Sequence, residues 1–218
     1  VESDLEVTVP ADSRLFEHKI LSEGAGVEFH IEPTLRKVFI PAGQVVDIES
    51  LAGYLNRGSP AGSYEISEEA GRQFKQLQRQ NKISGGITAV CRAVENQSLN
   101  TDRANKPFYT VMSLEASDTS ELLYGLAVDV GTTTVVVKLI NMVNGITMGS
   151  AADMNPQGQY GDDVVSRISC AESPDGQNQL HEAVVSCIGE LTEKLCAGAR
   201  VNSGYIYEVC AVGNTCMS

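Results

Sequence analysis

One short segment combines an acid, a glycine and three hydroxyls in a way that suits phosphate chemistry. It reads DVGTTT at residues 129–134, and apolar runs flank it on both sides. A glycine allows close backbone approach because it has no Cβ, and successive amides in such a turn can converge on an anion. Asp129 would repel a bare phosphate, so its presence favours Mg²⁺, held through water, between the two. The same residues also fit a polar hairpin turn in which Asp129 only hydrogen-bonds to the loop.

The charge balance limits the partners of the chain. Its 218 residues carry 16 basic and 28 acidic side chains, a net charge of −12, whereas a nucleic-acid-binding surface is basic. Residues 121–218 hold only 4 of the basic residues and 11 of the acidic ones. An anion bound in this part must therefore be held mainly by backbone amides, hydroxyls or a metal. No apolar run has the length of a membrane span, so we expect no membrane association.

The cysteines and histidines form no recognisable metal pattern. None of the six cysteines has a partner at CxxC spacing, and we expect reduced, mostly buried thiols in a cytoplasmic protein. His18, His30 and His181 are scattered along the chain. We expect them on the surface.

Strand and helix patterns place DVGTTT between two strands. The runs LYGLAVDV, TTVVVKLIN and GITMGSAAD predict three strands joined by short turns, and an antiparallel meander is the simplest arrangement. Helices are predicted over residues 161–172 and 179–200, the second from its apolar residues at helical spacing. A final strand is predicted over residues 205–213. The order βββ-α-α-β belongs to the α/β class.

The residues before this segment divide into two further regions. Residues 1–41 are interrupted by three prolines and predict an extended linker with short strands at 5–9 and 27–31. Residues 42–120 predict a small α/β middle domain without a catalytic constellation, and residues 121–218 form the third region. The predicted elements of the middle domain are helices over 47–58 and 67–81 and strands over 87–95 and 108–116.

Three motifs, taken together, resemble one protein family. They are YGLAVDVGTTTV, NPQ-x-x-YG-x-D-V-x-S-R-I and VGNT-x-M. The first resembles the first phosphate loop of the actin, sugar kinase and Hsp70 (ASKHA) ATPases. The set resembles the RACo-like, metal-binding ATP-dependent reductive activators of corrinoid proteins. The resemblance is specific over residues 122–218 and weaker over residues 1–120.

The resemblance implies a fold and a site. The fold class is α/β, with an actin-like, ribonuclease H-like ATPase half-core. Asp129 would act in catalysis by orienting Mg²⁺, and the segment containing Asp162, Asp163 and Arg167 would shape either the cleft or a partner surface. The residues implied in nucleotide binding are Gly131, Thr132, Thr133, Thr134, Gly213, Asn214 and Thr215.

The resemblance also implies an activity for the full-length protein. It would use Mg-ATP to reduce Co(II) corrinoid proteins of a methyltransferase system to Co(I), and related proteins can form homodimers. Electron transfer would run through a [2Fe–2S] domain whose C-x₄-C-x₂-C pattern this sequence lacks. We therefore expect a fragment of a longer protein, inactive alone. Two alternatives stay open, namely a sugar or acyl kinase of the same superfamily and a non-catalytic interaction module.

Overall fold

A computed structural model describes residues 34–58, 62–94 and 108–214. The chain forms two compact units, and the boundary between them lies between Leu123 and Tyr124. The strands predicted over residues 5–9 and 27–31 lie outside the described residues. No helix within the described ranges is both long and apolar enough to cross a membrane.

The first unit is a four-stranded sheet with two helices. Its strands are β1 (Leu35–Ile40), β2 (Ser63–Ile66), β3 (Ile87–Val94) and β4 (Phe108–Ala116), in the spatial order β1-β3-β4-β2. β3 runs antiparallel to both of its neighbours, whereas β2 runs parallel to β4. The helices are α1 (Ile48–Gly58) and α2 (Glu68–Arg79).

Both helices of this unit begin where the sequence predicts. The backbone N–H of Ser50 donates to Asp47 Oδ1 over 2.7 Å, and that of Ala70 donates to Ser67 Oγ over 3.1 Å. Each side chain thus satisfies a donor that the first helical turn leaves without a partner. One apolar core lies between the helices and the sheet. Its larger members are Ile40, Leu51, Leu55, Tyr64, Phe74, Ile87, Tyr109, Val111 and Leu114.

β1 departs from the sequence prediction. It falls within residues 1–41, which were interpreted as a linker, yet Leu35 and Ile40 are fully buried and β1 pairs with β3 along its whole length. Residues 35–40 therefore belong to the folded unit. Pro41 ends the strand rather than marking a linker, because proline has no N–H to continue the ladder. β2 was not predicted either, since four residues carry too little periodic signal.

The second unit begins with the predicted meander. β5 (Tyr124–Val130), β6 (Thr134–Asn141) and β7 (Thr147–Met154) pair antiparallel in sequence. β8 (Ile206–Gly213) adds to the other side of β5 in parallel, which gives the order β7-β6-β5-β8. A 3₁₀ turn over Pro156–Tyr160 follows β7.

Two helices connect the meander to β8. They are α3 (Val164–Cys170) and α4 (Pro174–Ala199). α4 packs against β6 and β7, and Leu195 lies so close that a Cβ at Gly149 would be 3.1 Å from its Cδ2. The predicted apolar stripe of α4 faces inward, with Leu180, Cys187, Leu191 and Leu195 buried and Val184 and Ile188 half-buried. The core of the second unit therefore lies between α4 and the strands β6 and β7.

Candidate phosphate-binding site

The turn between β5 and β6 is a tight hairpin made by residues 131–133. Val130 pairs with Val135, and the N–H of Gly131 donates to Thr134 O over 2.9 Å. A Cβ on Gly131 would lie 2.8 Å from that same carbonyl oxygen, closer than real Cβ contacts come. The sequence argument explained this glycine by close approach of a ligand. The structure supplies a reason inside the turn, because the hairpin cannot close in this way around a larger residue.

Three consecutive carbonyls of the turn are held by residues that follow β7. Asn155 Nδ2 donates to Gly131 O over 2.8 Å, and the N–H of Asn155 donates to Thr133 O over 2.8 Å. Between them, Arg167 Nη2 donates to Thr132 O over 2.7 Å. The side of the turn that carries these carbonyls is therefore fully engaged by protein.

The opposite side of the turn offers donors. In a planar trans peptide the N–H points away from the preceding carbonyl, and no peptide bond of the described residues is cis. Holding the carbonyls of residues 131–133 therefore directs the N–H groups of residues 132–134 the other way. Within the described ranges the N–H groups of Thr132 and Thr133 donate to no protein acceptor. Thr133 is also exposed. These amides and hydroxyls are a donor set that fits an anion.

Asp129 lies two residues before the turn, on β5. Its side chain is exposed, and strand alternation places it with Val136 on the sheet face opposite α4. The described residues contain no group of three or more His, Cys, Asp or Glu side chains that could hold a metal. Mg²⁺ needs no such group, because it is commonly bound by one or two carboxylates together with substrate phosphates and water. Asp129, two residues before the candidate phosphate turn at residues 131–133, fits that mode.

The end of β8 comes to the same edge of the sheet. Val130 pairs with Gly213 in the parallel register, so Gly213 and Asn214 lie beside the phosphate turn, and both are exposed. The structure thus brings together two motifs that are about 80 residues apart in the sequence. Thr215 lies outside the described residues.

The segment that follows β7 divides into residues with different environments. Asp163 caps α3, and hydrogen bonds from the backbone N–H and the hydroxyl of Ser166 hold the pKa of its carboxyl below the usual value. Asp162 is exposed. Arg167 is 4% exposed and lies against the turn. Gly161 allows this packing, because a Cβ there would lie 2.8 Å from Arg167 N.

Two buried amides were missed as site residues by sequence reasoning. Asn155 and Gln157 are each 5% exposed. Asn155 Nδ2 also donates to Gln157 Oε1 over 3.2 Å, and Gln157 Nε2 donates to Leu180 O of α4 over 3.1 Å. The available signal was an Asn and a Gln around a proline, directly after a predicted strand.

The remaining candidates lie apart from this site. His181 is exposed on α4, as predicted, and His18 and His30 lie outside the described residues. The five described cysteines are free, and burial raises the pKa of the Cys91 thiol to about 12. Cys216 lies outside the described residues.

Comparisons with known proteins agree with the three motifs. Residues 124–218 match the family model described as the RACo middle region. A solved structure of a reductive activator for corrinoid,iron-sulfur protein covers 89% of this chain with a TM-score of 0.66 and 28% sequence identity. Over these residues the chain is similar to RACo proteins. Its α/β fold class, with an actin-like ASKHA core, is confirmed.

A curated relative adds the functional context. This chain is 30% identical over 106 residues to the corrinoid activation enzyme RamQ of Eubacterium limosum, an alignment that covers 48% of this chain. It covers 18% of RamQ and 30% of the solved reductive activator. The chain therefore spans less than a third of the length of either relative.

Proposed function

We propose that this chain belongs to an ATP-dependent activator that reduces Co(II) corrinoid proteins to the Co(I) state for methyl transfer. The observation that carries the proposal is the turn at residues 131–133, whose three carbonyls are held by protein while the N–H groups of Thr132 and Thr133 are left for a ligand. The names of the relatives supply the substrate class. RamQ is a corrinoid activation enzyme, and the structural relative is a reductive activator.

The residues of the second unit divide the work of binding Mg-ATP. The amides of Thr132 and Thr133 bind phosphate oxygens, and the hydroxyls of Thr132, Thr133 and Thr134 add donors without adding charge. Asp129 would hold Mg²⁺ through bound water, and the metal would then screen this carboxylate from the phosphates. Gly213 and Asn214, at the end of β8, contact the nucleotide from the neighbouring strand, and we assign Thr215, the next residue in the sequence, to the same role. This arrangement suits a unit with few basic residues.

Nucleotide binding contributes to catalysis by favouring one conformation of the complex between the activator and its corrinoid protein. Reduction of Co(II) to Co(I) is uphill for physiological donors. A ligand shifts an equilibrium only through its different affinities for the two states. Binding energy at the phosphate turn is thus available to change the corrinoid environment. Electrons arrive through a [2Fe–2S] domain outside this chain. The reaction takes place in the cytoplasm. The activator can act as a homodimer.

The experiment uses the full-length protein with its corrinoid partner and a low-potential electron donor. Formation of Co(I) is followed by its absorbance, and ATP hydrolysis is measured in the same samples. We expect Co(I) only with Mg-ATP, and hydrolysis that rises when the Co(II) corrinoid protein is added. Phosphorylation of a small sugar or acid without corrinoid reduction would instead support a kinase. Equal Co(I) formation with and without nucleotide would refute the proposal.

Asp129→Asn tests the metal assignment within the same assay. Losing the carboxylate should remove most Mg-ATP hydrolysis while the circular dichroism spectrum stays unchanged, because Asp129 is exposed and packs little. Asp175→Asn is the matched control, since Asp175 is an exposed acid of the same unit at the start of α4. The control should retain turnover. Unchanged turnover in Asp129→Asn would remove the metal role of this residue.

A further inference from the structure

The side-chain amide of Asn155 has only one orientation that satisfies its hydrogen bonds, and in that orientation it donates to the turn. The N–H of Gln157 donates to Asn155 Oδ1 over 3.0 Å, while Asn155 Nδ2 faces Gly131 O over 2.8 Å. A flipped amide would place oxygen against a carbonyl and nitrogen against an N–H, which removes both hydrogen bonds. The side chain is therefore a fixed donor to the turn.

Arg167 complements Asn155 on the neighbouring peptide. Its Nε donates to Gly161 O over 2.9 Å, and its Nη2 donates to Thr132 O over 2.7 Å. The planar guanidinium holds both bonds in one rigid geometry, which the ammonium group of a lysine cannot reproduce. Arg167 also places a positive charge close to the turn, in a part of the chain with few basic residues. A nearby cation favours an anion at the turn.

These contacts continue into the core of the unit. Asn155 contacts Gln157, which in turn donates to Leu180 O in α4. Asn155, Gln157 and Arg167 are each at least 95% buried. Unmade hydrogen bonds of buried groups cost more than those of exposed groups, so this network has one preferred arrangement. Two of the three turn peptides are thereby connected through Asn155 and Gln157 to the packed α4, and the third is held by Arg167 of α3.

We infer that Asn155 and Arg167 are positioning residues that set the direction of the turn amides and thereby the affinity for Mg-ATP phosphates. The inference rests on the proposed function, because it assumes that the ligand of this turn is a nucleotide. Neither residue touches the ligand. Each acts by holding a carbonyl whose peptide carries the ligand-facing N–H on its other side.

Two conservative variants test the inference in the full-length protein. Arg167→Lys keeps the charge but loses the two-point geometry, and Asn155→Asp keeps the shape but places oxygen against Gly131 O. Each should weaken Mg-ATP binding about tenfold or more by calorimetric titration, a factor of ten being about 1.4 kcal/mol. Matched controls are Arg72→Lys, at an exposed ion pair of the other unit, and Asn178→Asp, at an exposed site on α4. Both controls should bind as the wild type does.

A second readout follows the turn itself without nucleotide. In protein labelled with ¹⁵N-threonine, the wild-type amides of Thr132 and Thr133 should have order parameters near those of rigid backbone, about 0.85, and the variants should fall towards about 0.6. A residue that only stabilised the fold would lower the melting temperature without loosening these two amides selectively. Thr192, whose hydroxyl is bonded inside α4, serves as the internal reference.

The outcomes separate the inference from the proposed function. Variants that bind Mg-ATP as tightly as the wild type, or whose turn amides stay rigid, would overturn the positioning role and leave the proposed function standing. A full-length wild-type protein that binds no Mg-ATP would overturn the proposed function and the nucleotide part of the inference. The order parameters would then still decide whether these residues hold the turn.

Discussion

Replacing Gly131 by alanine tests whether the hairpin itself requires this glycine. The added methyl would lie 2.8 Å from Thr134 O, so either the carbonyl or the chain must move. Forcing a methyl into a space without room costs about 1–3 kcal/mol, and the lower entropy of the unfolded alanine chain offsets about 0.4–1 kcal/mol of this. We therefore expect a loss of about 1–2 kcal/mol in the free energy of unfolding.

Gly189→Ala is a control with the opposite expected sign. Gly189 lies in the interior of α4, and a Cβ there would meet nothing within 4 Å. Alanine is favoured over glycine in a helix by about 1 kcal/mol, so this variant should be more stable than the wild type. Both substitutions add one methyl to the same unit, which removes side-chain size as an explanation for any difference between them.

Thermal unfolding followed by circular dichroism measures the difference between these variants. For a chain of this size, 1 kcal/mol corresponds to roughly 2–4 °C in melting temperature, so the two variants should differ by about 4–12 °C. If Gly131→Ala melted at or above the wild-type temperature, the closure argument would be wrong. Ligand approach would then remain as the reason for the glycine, and a loss of Mg-ATP affinity in a fully stable variant would demonstrate it.

Two further predictions concern a helix cap and the cysteines. Asp163→Ala should lower the melting temperature at neutral pH, whereas Asp163→Asn should retain most of the cap, since asparagine also caps well. Because the folded pKa of Asp163 lies below 3.8, its contribution is fully present above that pH and is lost as the pH falls through the folded pKa. This would be contradicted if the wild type and Asp163→Asn differed in melting temperature by the same amount at pH 7 and in acid below the folded pKa of Asp163. In alkylation of the folded chain at pH 8, exposed Cys210 should react well before buried Cys91, whose pKa is about 12, and peptide mapping would show it. Equal rates would mean that Cys91 is not buried as described.

Sequence patterns predicted the elements that carry strong local signals. The meander β5-β6-β7 follows from alternating apolar runs, and α1 and α2 follow from caps and spaced apolar residues. α4 begins at Pro174, five residues before the predicted start at residue 179, because its first turn is polar and only the Ser173 cap marks it. β1 and β2 depend on pairing with distant strands, which no local pattern contains. The spacing of apolar residues thus predicts a helix or strand when the residues within that helix or strand are enough to determine it.

At the candidate phosphate turn, too, the local sequence predicts one part of the structure and distant residues determine another. DVGTTT predicts a hairpin with donors, and the hairpin is present with Gly131 where a Cβ would lie 2.8 Å from Thr134 O. What orients the donors is Asn155 and Arg167, and Arg167 lies 35 residues from the carbonyl it binds. The sequence alone does not show whether an arginine on a helix faces solvent or protein. For Arg167, the packing of α3 beside Gly161 turns the side chain towards the protein. If the turn amides bind phosphate, the residues that determine how tightly they bind it lie after β7, at Asn155 and Arg167, rather than in the DVGTTT segment itself.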